Sequence, residues 1–199
     1  MFDLTPCEVS GCRRHAVWNS AVCTNHLTNF DQWSSALKQY LLSKNEFSSL
    51  VLNRVTFTQL DLRGKRFKGC AFLGATWQET QLDGCEFRNC FLDFGSFRDC
   101  SLQETTWIFC SVSGNTMKNC HWKGSDILHV NFNGLEAESC DFSESDLYFS
   151  RFNAGTLTDV QFRDCNLKKT QFIDTELINI NFQYSNYEEA EMHEEKDEL

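Results

Sequence analysis

The chain has 199 residues, 18 basic and 28 acidic, for a net charge of −10. That balance, without a basic stripe, weighs against plain nucleic-acid binding, and no apolar run approaches membrane-spanning length. The length admits one repeat domain with a small appendage.

In chain order, residues 7–26 come first, reading CEVSGCRRHAVWNSAVCTNH. Cys7 and Cys12 form one pair, Cys23 and His26 a second, with ten residues between them. Three thiolates and one imidazole suit tetrahedral zinc. The segment is too short to fold by burying a core of its own, so a metal would supply the missing stability. Such a closed set leaves no open coordination position and points to a structural role. The alternative is ordinary thiols in a loose arm. His15 is a secondary candidate, as substitute ligand or as a group behind the ligands. With Val9 and Gly11, the segment resembles small treble-clef-like zinc knuckles of the form C-x-V-x-G-C…C-x-x-H, found at the starts of various bacterial proteins.

Residues 29–45 follow as an amphipathic unit, with a helix expected from Asn29 to Ser43. Phe30, Trp33, Leu37, Tyr40 and Leu41 recur at helical spacing. Thr28 or Asn29 caps it, and Asp31 stands in the first turn. Its apolar face is expected to plug one end of the next segment; a partner-binding helix is the alternative.

From Phe47 to Tyr187 every fifth residue is apolar without a break. At this composition chance would produce such a run with a probability on the order of 10⁻¹¹. A strand repeats every 2 residues and a helix every 3.6, so each pentapeptide must bend as a unit. Residues two before each centre are mostly small, such as Cys70, Ala75, Thr80 and Ser145. Two positions per repeat therefore point inward, one large and one small. Residues two after the centre are often Gly, Asn or Asp, types that tolerate turn geometry. Cys70, Cys90 and Cys110 are 20 apart, as are Cys100, Cys120 and Cys140, which indicates 20 residues per coil.

This pattern, with stretches such as Ser145-Asp146-Leu147 and Cys165-Asn166-Leu167, resembles the pentapeptide-repeat family. The resemblance implies an all-β, right-handed quadrilateral β-helix with four pentapeptides per coil, here residues 46–187 in about seven coils. Stacked at the interstrand spacing, these form a rod of about 34 Å. Solenoid stability is a nearest-neighbour sum, which leaves outward residues largely free for function.

Three irregularities test this reading. Leu135 at a small position and Ala137 at a large one read as a volume-conserving swap. Asn115 should be buried and needs partners for its amide. Lys65 cannot sit unpaired in the core, so either a distorted early coil or an outward-turned lysine is expected.

No secretory leader is read at the amino end, so a cytoplasmic setting is expected. The eleven cysteines are then thiols or metal ligands rather than disulfides, and those of the rod read as small apolar core residues. Residues 188–199 form an acidic tail. Its last four, Lys196-Asp197-Glu198-Leu199, spell a retrieval signal that is read here simply as the end of that tail.

Function is sought on the outward columns. Phe109, His129 and Phe149 align in one, and Ile108, Leu128 and Tyr148 in the next. Clustered exposed apolar and aromatic groups mark interaction surfaces. This face is expected to bind a protein partner or a second copy of the chain, unless the chain's own arm or tail covers it. Neither a phosphate loop, a nucleophile elbow nor HExxH occurs, so a non-enzymatic interaction scaffold is expected. The alternative comes from the resemblance: some pentapeptide-repeat proteins mimic a DNA duplex and protect type II topoisomerases such as DNA gyrase from quinolones.

Overall fold

Parallel pairing at a fixed offset of 20 residues organises the chain: Phe47 faces Phe67, then Phe87, Trp107 and Ile127. A computed structural model describes residues 4–192. It is a β-solenoid of about seven turns, four short extended pieces to a turn. Strands from Glu46–Ser48 to Asp126–Leu128 form a five-stranded parallel sheet on one face. On another, strands from Thr56–Thr58 to Glu176–Ile178 form a seven-stranded sheet. The remaining two faces are ladders of single parallel bridges, one through Val51, Ala71 and Phe91, the other through Asp61, Gln81 and Ser101.

The corners explain the period of five. Every residue two places beyond an inward centre, from Ser49 to Tyr184, has a φ between +50° and +69°. A single left-handed residue turns the chain and lets the next triplet run extended. Glycine fits this conformation without strain, as at Gly114, where an added Cβ would also lie 2.8 Å from the Phe94 ring.

The large inward residues stack coil on coil. Phe47, Phe67, Phe87 and Trp107 form a column with centroid separations of 5.1, 5.0 and 4.0 Å. Trp122, Phe142, Phe162 and Phe182 form another at 5.5, 5.3 and 5.6 Å. Burying each large side chain contributes roughly 1.5–3 kcal/mol before entropy is subtracted.

The small inward residues stitch the coils together through hydrogen bonds. Cys85 Sγ donates to the Leu62 carbonyl at 3.0 Å, Ser145 Oγ to Trp122 at 3.0 Å, Thr170 Oγ1 to Leu147 at 2.9 Å and Cys165 Sγ to Phe142 at 3.0 Å. Each bond reaches back 23 residues, into the coil beneath. In return, amides of that coil donate upward, Cys70 N to Cys90 Sγ and Thr105 N to Ser125 Oγ. The rod thiols are thus small donors and acceptors as well as small apolar groups, which is why Cys, Ser and Thr interchange at this position. All the described cysteines are free.

Helix α1, Phe30–Ser43, closes the first coil with Trp33, Leu37 and Leu41 buried; Phe30 stays exposed. Asn29 caps it, its Oδ1 accepting from Gln32 N at 3.2 Å. Lys65 departs from both expectations. The coil around it is regular and its side chain is only 6% exposed. Below it lies the end of α1 rather than another coil, and Lys65 Nζ donates to the Lys44 carbonyl there at 2.6 Å. A cation thereby satisfies a helix C-terminal carbonyl.

Asn115 is buried as expected, and its Nδ2 donates to the Leu92 and Val112 carbonyls at 2.9 and 2.8 Å. Its Oδ1 has no partner. Leu135 and Ala137 are both buried. Gly155 sits directly against the coil beneath: an added Cβ would lie 2.6 Å from the Leu135 carbonyl oxygen, as one at Gly95 would lie 2.4 Å from that of Ala75.

The inward register expected at Tyr187 fails. With no further coil above it among the described residues, Tyr187 enters a 3₁₀ turn, Tyr187–Glu189, and is 54% exposed. Pairing then resumes, Glu191–Met192 lying alongside Gln171–Phe172. The retrieval-like ending and most of the acidic tail lie outside the described residues. No helix among the described residues is long and apolar enough to cross a membrane.

Candidate metal centre and aromatic face

The amino-terminal module is built by a short backbone framework. Pro6 bridges His15, Cys7 N donates to the Arg14 carbonyl at 2.9 Å, and Gly11 at φ +77° turns the chain back toward Cys12. A 3₁₀ turn, Thr24–His26, presents His26 beside Cys23. These elements converge Cys7, Cys12, Cys23 and His26, whose ligand atoms all lie within 4.8 Å of one another. Cys7 Sγ is 3.4 Å and Cys23 Sγ 3.5 Å from His26 Nδ1, and Cys12 Sγ is 3.9 Å from Cys23 Sγ. Zinc bond lengths set tetrahedral edges of about 3.5 Å between sulfur and nitrogen and about 3.8 Å between sulfurs. The four groups therefore fit an ion of that size. His15 is not one of the converging groups.

Electrostatics differ within the cluster. Burial raises the Cys7 thiol, but bonds from the His26 ring and from the Cys23 and Val9 amides outweigh it and hold Cys7 lowered to about 6. Cys12 is raised: the Arg14 amide lowers it, but burial and the neighbouring Cys7 and Cys23 thiols prevail. The module docks on the rod through Trp18, whose N–H donates to the Val51 carbonyl at 2.9 Å and whose ring stacks on Tyr40 at 4.5 Å. Trp33 Nε1 donates to the Trp18 carbonyl at 2.8 Å, tying module to helix.

The structure brings the six residues of the expected face together. Phe109, His129 and Phe149 occupy one corner in three successive coils, with ring centroids 4.9 and 5.1 Å apart. Lys169 Nζ, one coil further, lies 4.8 Å over the Phe149 ring. Tyr148 meets His129 edge-on at 5.9 Å, and Ile108 and Leu128 lie half-buried alongside. Phe109 is 60% and Phe149 40% exposed, so no described segment covers them. Missed in the sequence is their backbone state: φ is +53°, +56° and +60° at the three corners. A left-handed residue with a Cβ costs about 1–2 kcal/mol. The Gly, Asn and Asp of other corners carried that signal.

Comparison with known proteins bears on the rod. The family described as Pentapeptide repeat region matches residues 115–192, and Pentapeptide repeats (8 copies) matches residues 51–89. No curated protein matches. Among solved structures, a trypsin-treated variant of QnrB1, a plasmid-mediated fluoroquinolone resistance protein, is 15% identical over 70% of this chain and 74% of that one, with a TM-score of 0.51. HetL from the cyanobacterium Nostoc sp. strain PCC 7120, involved in heterocyst differentiation regulation, is 12% identical over 79% of this chain and 95% of its own, with a TM-score of 0.21. At such identities the likeness to QnrB1 is one of fold alone.

Proposed function

Because the chain belongs to the pentapeptide-repeat family, we propose that it is a non-enzymatic interaction platform: a rod whose base is stapled by a structural zinc ion on Cys7, Cys12, Cys23 and His26, and whose aromatic corner docks a protein. The observation that carries this reading is the exposed stack of Phe109, His129 and Phe149, held in left-handed backbone over three coils. Every corner of the rod is left-handed, but most carry Gly or a polar residue, so three large rings stacked and exposed on one corner column stand out as an interaction surface. Aromatic rings supply large contact area at low entropic cost and dominate binding hot spots. The patch advances about 10 Å along the rod, two interstrand steps, which suits the centre of a larger interface.

A second reading, regulation or protection of a type II topoisomerase by DNA mimicry, draws on the net charge of −10 and on the fold shared with QnrB1. Against it, many carboxylates on the rod are already engaged: Asp61 with Arg63, Glu138 with Lys118, Glu144 with Lys123, and Glu46 and Glu86 with Arg66 and Arg88. The test is association of the full chain with its partner, or with itself, before and after Phe109→Ser and Phe149→Ser. Unchanged association removes the docking face. Inhibition or protection of DNA gyrase in a supercoiling assay would favour the second reading.

A further inference from the structure

A cleft lies where the amino-terminal module meets the first coils. Arg13, Arg14, His15, Thr24 and the candidate metal ligand Cys23 come from the module, Asn53 and Arg54 from the first coil, and Leu73, Gly74 and Phe94 from the next two. Its volume is about 360 Å³, within the range of small-molecule sites. No carboxylate lines it. Three arginines thus line one cleft in a chain whose net charge is −10. Among the described residues none of the three pairs with an Asp or Glu, a state they share with Arg98, Arg151 and Arg163; what sets them apart is that they line one cleft. The groove over the seven-stranded sheet is different: there Arg98 and Lys118 are balanced by Glu136 and Glu138.

The cleft is also partly preorganised. Arg54 sits at a corner with φ +60°, and its stem runs beside Gly74, where an added Cβ would stand 3.3 Å from Arg54 Cγ. Asn53 Oδ1 accepts from Leu73 N at 2.9 Å, which leaves its amide N–H₂ to point elsewhere. Phe94, 75% exposed, and Leu73 supply an apolar wall. Unpaired arginines on two separate segments are suited to an anion that bridges them, and their planar forks match phosphate oxygens.

We propose that this cleft binds a phosphorylated small molecule of about nucleotide size, held between the module and the rod. The probes are pyrophosphate, ADP and adenosine, titrated calorimetrically into the full chain. Pyrophosphate and ADP should bind and adenosine should not, with affinity falling as salt rises. Arg13→Gln or Arg54→Gln should weaken either ligand by about tenfold, the loss of one charge-assisted hydrogen bond. Both side chains are exposed, so circular dichroism should confirm an unchanged fold. Arg98→Gln, in the other groove, should leave affinity unchanged. Tighter binding of ADP than pyrophosphate would assign a nucleoside phosphate, and equal binding an inorganic one; either supports the site. Failure of both to bind at millimolar concentration, or equal affinity in the Arg13 and Arg54 variants, would overturn it.

Discussion

Replacing Phe109, His129 and Phe149 together by asparagine separates what the aromatic corner does for folding from what it does for binding. Asparagine adopts left-handed backbone far more readily than phenylalanine. Relief of strain at three corners is then worth up to about 6 kcal/mol. Against this stand two ring stacks and the edge contacts of Tyr148 with His129 and Phe149, each about 0.5–1.5 kcal/mol, and the Lys169 contact, about 0.5–1 kcal/mol at an exposed site. The opposing effects nearly cancel, so the triple variant should lie within about 1 kcal/mol of the parent in urea denaturation, with an unchanged slope. Partner or self-association should be lost in the same protein. Destabilisation beyond about 3 kcal/mol would refute the reasoning, because it would make the corner rings part of the folding core.

Chelation of the metal, or Cys12→Ser, should undock the amino-terminal module and change Trp18 fluorescence while the rod's far-ultraviolet spectrum persists, since a solenoid is stabilised between neighbouring coils; elemental analysis should give one zinc per chain before treatment. Thiol labelling of the chelated native protein should be confined to Cys7, Cys12 and Cys23, because burial pushes Cys85 up to about 12 and Cys165 up to about 11 and a buried thiol is inert; rapid labelling of all eleven cysteines without denaturant would contradict the packed rod. Trp122→Phe should be close to neutral in stability, since the cavity cost of about 1 kcal/mol is offset by removal of a buried indole N–H without a partner. Trp107→Phe should cost about 1–2 kcal/mol, because Trp107 Nε1 donates to Thr105 Oγ1 at 3.0 Å.

The rod was legible because its inward centres recur at a spacing that neither a helix nor a strand shares, and because Gly, Asn and Asp mark its corners. The clustering of Cys7, Cys12, Cys23 and His26 was legible because metal chemistry needs few residue types at short spacing. What escaped the sequence depends on neighbours distant along the chain. Lys65 looks impossible in a solenoid until the end of α1 is placed beneath it. The rod cysteines look merely small until their bonds to carbonyls 23 residues earlier are seen. Arg54 and the Arg13-Arg14 pair are some forty positions apart and become one cleft only when Trp18 docks on Val51.

Site-specific photo-crosslinking in the native host tests the docking face most directly. A benzophenone side chain at position 109 or 149 should give one discrete adduct, whose mass identifies either a partner or a second copy of this chain. The same group at Gln59 or Asn179, on a polar corner of the rod, should give none. Equal labelling from every corner, or no adduct from any, would contradict the account.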